Sequence, residues 1–217
     1  MTPEIIFEDN HVLVAVKPAG VLSQSDGSGA PDILNIIKDY IKVRDNKPGN
    51  VYLGLIHRLD RNVEGVMVFA KTSKAASRLS EQVRNRKVTK KYRAEVTGLL
   101  SKKSGTLTNY LLKNEKTNIT KVFDRDPGIK DAKLSTLDYE VIEEKTFQGK
   151  TTTWVDVKLG TGRSHQIRVQ FAHIGHPLVG DVKYKGPADG GKIHLQSYLI
   201  GFFHPVTKEY MEYTLFS

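Results

Sequence analysis

Thr151-Thr152-Thr153-Trp154-Val155-Asp156-Val157-Lys158-Leu159, continuing into Gly160-Thr161-Gly162-Arg163-Ser164-His165-Gln166-Ile167-Arg168, shows both kinds of element that the chain uses. Its first nine residues read as a strand, with β-branched and apolar side chains closed by a glycine, and Trp154 is expected in the core. The period then changes. Ile167, Phe171 and Ile174 recur at helical spacing from a start near Gly162-Arg163-Ser164, until Gly175 and Pro177 stop the helix. Residues 91–96, 135–143, 193–203 and 209–215 repeat the strand pattern, so strands dominate this half and one helix interrupts them. The stretch 113–133 is the least regular and is expected to be an exposed excursion.

Working outward, the N-terminal half alternates the same two elements. Residues 12–16 form a short apolar run ended by the turn Lys17-Pro18-Ala19-Gly20, a turn able to approach a ligand. After Pro31-Asp32, a cap, the residues Ile33, Leu34, Ile36, Ile37, Tyr40 and Ile41 mark an amphipathic helix. Gly65-Val66-Met67-Val68-Phe69-Ala70 is a buried strand, which places the preceding His57-Arg58-Leu59-Asp60 on a loop between strands. Thr72 or Ser73 caps a second helix, with Ala75, Leu79 and Val83 on one face, running to about Arg86. The prediction is an α+β fold with a mixed, mainly antiparallel central sheet and flanking helices, forming a single domain over residues 1–217.

Composition narrows the partners. Of 217 residues 39% are hydrophobic and 26% charged, so a folded domain is expected and long disorder is not. A net charge of +9 sets up a positive field suited to a polyanion, and nucleic acid is the first partner to weigh. The chain has no cysteine, which removes disulfides and thiolate metal sites. No window approaches the run of about 20 apolar residues needed to span a membrane, and the start Met1-Thr2-Pro3-Glu4 lacks a secretion signal. The expectation is a cytoplasmic protein for which a monomer suffices.

Three clusters carry candidate chemistry. In the segment 84–93, Arg84, Arg86, Lys87, Lys90, Lys91 and Arg93 surround Tyr92; it reads either as a solvated helix end or as phosphate contacts with a stacking face. The glycines and polar donors at 160–168 offer backbone amides at a helix start, where an anion is favoured. They lack the third glycine of a dinucleotide fingerprint and the Gly-Lys-Ser/Thr of a P-loop, so both nucleotide readings are rejected. His165, His173 and His176 match no metal-ligand spacing and read as packed or hydrogen-bonded. Finally, Asp60 lies between Arg58 and Arg61, a setting that by itself is more often a structural ion pair than a nucleophile.

Several separated segments, taken in order, resemble the RluA-type pseudouridine synthases. They are residues 14–21 (VAVKPAGV), His57-Arg58-Leu59-Asp60 with Gly65 and Phe69-Ala70-Lys71, Lys91-Tyr92-Arg93-Ala94, residues 162–169 (GRSHQIRV) and 175–181 (GHPLVGD), and the tail from Ile193-His194-Leu195 to Phe203-His204-Pro205. The resemblance runs from about residue 5 onward and leaves no room for the accessory N-terminal RNA-binding domain of many members. It implies that Asp60 is the catalytic aspartate, which forms a covalent adduct during isomerisation of uridine. It further implies that Arg168 is the basic residue paired with Asp60, that Tyr92 stacks on the flipped uracil, and that Arg58 is the wedge filling the gap left by the extruded base. The RNA contacts expected are Arg58, Arg84, Arg86, Lys87, Lys90, Lys91, Arg163 and His165, on ribosomal or transfer RNA, with neither cofactor nor metal.

One departure stands beside the nucleophile. The family commonly has Thr-Ser-Gly where this chain reads Val63-Glu64-Gly65. A glutamate pointing inward would raise the carboxyl of Asp60, and one facing water would do nothing. Two rival readings follow: an RNA-binding or folding protein that has lost turnover, and a basic protein of other function in which Asp60 is a structural ion pair.

Overall fold

In the computed structural model, which describes residues 1–215, the apolar runs of the N-terminal half become neighbouring strands. β1 (Glu4–Glu8) pairs antiparallel with β2 (Val12–Lys17), β2 with β4 (Glu64–Ala70), and the two-residue β3 (Gly54–Leu55) also with β4. Alternate side chains of a strand point to opposite faces. Val12, Val14, Val66 and Val68 share a core with Ala75 and Leu79 of α2 (Ser73–Arg84) and with Ile200 and Phe202 of β10 (Leu195–Phe203). Leu13, Ala15, Met67 and Phe69 point the other way and are equally buried. Covering on both faces explains why these strands read as runs rather than as alternation.

The remaining elements of this half keep their predicted signals. α1 (Ile33–Arg44) buries Ile33, Ile37 and Ile41, and β11 (Tyr210–Thr214) pairs antiparallel with β10. Both helices begin at the predicted caps: Asp32 Oδ1 accepts the Asn35 N–H at 2.9 Å, and Thr72 Oγ1 accepts the Ala75 N–H at 3.1 Å. α2 ends at Arg84, short of the expected Arg86, whose φ of 56° takes the chain out of the helix.

The chain's contacts gather into two compact units, between which the residues read as one domain are shared. The first holds Met1–Lys90 together with the chain from Ser197, and the second holds Lys91–Gln196. In the second, β5 (Thr89–Thr97), β9 (Lys150–Leu159), β8 (Lys133–Phe147), β6 (Ser104–Asn114) and β7 (Ile119–Phe123) lie side by side in that order, every pair antiparallel. α3 (Gln166–His173) contributes Val169 to a core with Leu111 and Tyr184. Its Phe171 meets the Tyr139 ring edge-on at 5.6 Å. The class is α+β, mainly antiparallel, as predicted.

The stretch 113–133 is mostly exposed, as expected, and its first part turns from β6 into β7; its weak pattern has a cause: the buried position of β7 is Thr120, whose N–H is satisfied by Tyr184 Oη at 2.9 Å rather than by apolar packing. Two local expectations are corrected. Trp154 is half-buried, its ring stacked on His194 at 6.1 Å. α3 starts at Gln166, after His165 in the left-handed region with φ 54°. Before it, the Arg163 N–H donates to Gln166 Oε1 at 3.0 Å and the Gln166 N–H to Arg163 O at 3.2 Å, so two amides expected to face an anion serve the turn itself.

Candidate active site

Asp60 sits on the loop between β3 and β4, and the loop is tied down on both sides of it. Ser23 Oγ donates to Leu59 O at 2.8 Å and accepts the Leu59 N–H at 2.9 Å. On the other side Arg61 O accepts from Gly20 N at 2.8 Å and from Lys17 Nζ at 3.1 Å. Arg61 returns its Nε to Gly20 O at 3.0 Å, and the Val63 N–H closes a turn onto Asp60 O at 3.0 Å. Leu59 and Val63 are buried, so two apolar anchors flank a half-buried carboxylate. The turn Lys17-Pro18-Ala19-Gly20 clasps this loop, and Gly20 adopts φ 85°, a conformation that favours glycine.

Lys17 is the most unusual group of this unit, a lysine with 0% of its surface exposed. Its ammonium donates to Pro18 O at 2.9 Å and Val21 O at 2.8 Å as well as to Arg61 O. Burial pushes its pKa down to about 8, while Asp60 and Glu64 pull it upward by attraction. The charge thus faces the carboxylate electrostatically while its hydrogen bonds hold the backbone beside it. Glu64 is exposed at the first position of β4, and Val63 is a packing residue under the loop. The structure therefore matches the outward of the two orientations considered for Glu64.

His57 closes the far end of the loop. Its Nε2 accepts the Val68 N–H at 3.2 Å, which places the proton on Nδ1. Full burial, with Lys90 repelling the charged form, pushes its pKa down to about 3, so the ring is neutral. Arg58 is exposed beside it.

In the second unit Tyr92 lies on β5 opposite Val157 and is buried, on the strand face shared by Ala94 and Val96. Lys91 and Arg93 take the other face, and Arg93 grips Asp156 through Nε at 2.9 Å and Nη2 at 3.2 Å. Arg168, on α3 and 6% exposed, is gripped by Asp181 through Nε at 2.7 Å and Nη2 at 2.8 Å. Its guanidinium carbon lies 5.3 Å from the Tyr184 ring centre. His165 is buried, with Nδ1 2.7 Å from Tyr184 Oη, while Arg163 is exposed. His173 meets Asp124 and His176 meets Thr97 O, each at 2.7 Å, the hydrogen-bonded condition expected of them.

Of the predicted basic segment, Arg84, Arg86 and Lys87 are exposed in the first unit, whereas Lys90 is half-buried and burial lowers its pKa. Sequence reading missed Ser23, Asp181 and Tyr184. Ser23 carries no local signal, because its partner Leu59 is 36 positions away. Asp181 and Tyr184 stood in plain view after Gly180, but an acid and an aromatic three apart have no meaning until the fold brings Arg168 to them.

A sequence model of the family described as RNA pseudouridylate synthase matches residues 11–173, a span that includes Asp60, Tyr92 and Arg168. The chain belongs to that family. Among relatives of this RNA pseudouridylate synthase chain, an uncharacterised RNA pseudouridine synthase of Bacillus subtilis is 35% identical over 98% of this chain and 68% of the relative. Ribosomal large subunit pseudouridine synthase D of Pseudomonas aeruginosa is 38% identical over 84% of this chain and 53% of that protein. A solved structure titled human RNA pseudouridylate synthase domain containing 1 superposes with a TM-score of 0.78 at 23% identity, covering 100% of this chain and 84% of that one, which shows a shared fold. Membership of the RluA type makes this chain an isomerase acting on RNA.

Proposed function

We propose that the protein converts specific uridines of structured RNA to pseudouridine, with Asp60 as the nucleophile, after extruding the base from its stack. Asp60 attacks as a carboxylate, the bond between ribose carbon 1′ and uracil N1 breaks, and uracil rotates while held. It then rejoins ribose carbon 1′ through carbon 5 as the bond to Asp60 breaks and frees the carboxylate, the hydrogen leaves carbon 5, and N1 takes up a proton. Arg168 favours the charged form and direction of Asp60, and Tyr92 holds the uracil face near carbon 5. Arg58 fills the gap, and the phosphates are met by Arg84, Arg86, Lys87, Lys91 and Arg163, with lesser parts for half-buried Lys90 and buried His165. Extrusion costs a few kcal/mol, offset by these contacts.

The observation that carries the reading is the treatment of one carboxylate. The backbone on either side of Asp60 is held by Gly20 and by two buried polar side chains, Ser23 and Lys17, an arrangement suited to a side chain whose position matters. Ribosomal or transfer RNA is the substrate, the names of the relatives favouring ribosomal RNA of the large subunit. The protein works in the cytoplasm, and the chemistry needs only one copy and no cofactor or metal.

Incubating purified protein with RNA from cells lacking it, then mapping pseudouridine, tests this reading. New pseudouridine at discrete sites with wild type and none with Asp60→Ala is expected. Product from the variant at the wild-type rate removes Asp60 as nucleophile, and RNA binding without product from either protein favours a binding module.

A further inference from the structure

Arg168 is buried together with a counter-charge that the reaction as described does not use. Asp181, 1% exposed, accepts from both Nε and Nη2, a side-on fork that fixes the plane of the guanidinium and the direction of its Nη1 edge. The Tyr184 ring covers the guanidinium at 5.3 Å, and Tyr184 is itself pinned: its hydroxyl oxygen accepts the Thr120 N–H at 2.9 Å and lies 2.7 Å from His165 Nδ1. Both braces come from one short segment. Within it the N–H groups of Tyr184 and Gly186 donate to Asp181 O at 3.1 and 2.8 Å, and the Gly180 N–H donates to Pro187 O at 2.7 Å. A Cβ at Gly180 would run into the Lys192 backbone. The segment is anchored in turn to β5, the Val179 N–H donating to Glu95 O, and to the residue before β10, the His194 N–H donating to Val179 O, each at 2.9 Å.

A buried ion pair is a poor way to gain stability, because desolvating both charges consumes most of their attraction, and an apolar pair of the same volume often does as well. Its return is geometric. We propose that Asp181 is a positioning residue for Arg168, setting the direction in which the guanidinium is offered to the reaction, with Tyr184 as the second brace. The inference rests on the reading of Arg168 as an active-site residue. It assigns Asp181 no contact with the uridine, and it predicts an effect on turnover rather than on RNA affinity.

A mutant cycle tests it, with an unmodified transcript of large-subunit ribosomal RNA as the probe and pseudouridine formation as the readout. Asp181→Asn is expected to lower kcat by roughly 10–100-fold, the range seen when a supporting partner of a site residue is lost, with KM for the RNA within about twofold of wild type. If Asp181 acts through Arg168, the double variant Asp181→Asn with Arg168→Lys falls no further than Arg168→Lys alone. Asp181→Glu, which keeps the charge and alters the fork, is expected to recover part of the lost kcat, and it carries the cycle if Asp181→Asn fails to fold. Losses that multiply in the double variant, or wild-type kcat in both Asp181 variants while Arg168→Lys is slow, overturn the positioning role and leave Arg168 in place. Wild-type turnover by Arg168→Lys overturns the reading of Arg168 itself, and this inference with it.

Discussion

At the scale of single residues, burial lowers the pKa of the basic groups that hold the Asp60 loop. Lys17 is the clearest. For a base whose pKa falls from 10.5 to about 8 on folding, the unfolded chain holds more protons across that window, so this group alone makes stability rise with pH there. Activity is expected to run the other way. Above about pH 8 the neutral amine no longer attracts Asp60 and has one donor fewer for its three carbonyls. A pH–rate profile taken between roughly pH 7 and 10 should fall through that value in wild type, and Lys17→Met should be slower and flat over the same range. A flat wild-type profile would show that the charge on Lys17 is not used. Asp60, Tyr92 and Arg168 stand out in the sequence as candidates only through the segments that carry the family resemblance, whereas the spacing around Asp60 by itself favoured an ion pair. Lys17 was visible as a motif letter, but its burial was not: a lysine before Pro-Ala-Gly reads as a surface turn until three carbonyls are seen to converge on it.

At the scale of elements, the strand runs, the helix caps and the turn at Gly20 were readable because local chemistry decides them. What went unread was decided by distant partners. β1 and β7 each carry polar residues at two of five positions and are strands because β2 and β6 pair with them, and α3 begins later than its glycines suggest because His165 turns left-handed to reach Tyr184. Gly65 shows the same dependence on the far chain. A Cβ there would run into Ser197 Cβ and lie 2.5 Å from Ser197 O and 2.8 Å from Ser197 Cα, atoms that no side-chain rotation can move aside. Gly65→Ala should lower unfolding free energy by about 3 kcal/mol or more, at or beyond the upper end for an overpacked core, as read from denaturant midpoints. Gly49→Ala, with open space around its Cβ, should stay within about 0.5 kcal/mol of wild type. Equal effects at the two positions would contradict the close approach of β4 and β10.

At the scale of the whole molecule, the proposed function gives the net charge of +9 a use as a field for RNA, to which the exposed cations at the end of α2 contribute. Replacing Arg86 and Lys87 together with alanine should flatten the log–log salt dependence of RNA binding by about one unit per lost phosphate contact. Lys90→Ala should change it less, because burial withholds that ammonium from solvent. An unchanged slope in the Arg86/Lys87 variant would move the RNA path elsewhere. The isomerisation proposed for this protein runs through the carboxylate of Asp60. The most direct measurement follows the hydrogen that must leave uracil carbon 5, using large-subunit ribosomal RNA transcribed with uridine tritiated at that carbon. Wild type should release tritium to water in step with pseudouridine formation, and Asp60→Asn, of the same shape but without the charge, should release none above background while remaining folded. Release by Asp60→Asn at the wild-type rate would contradict the account.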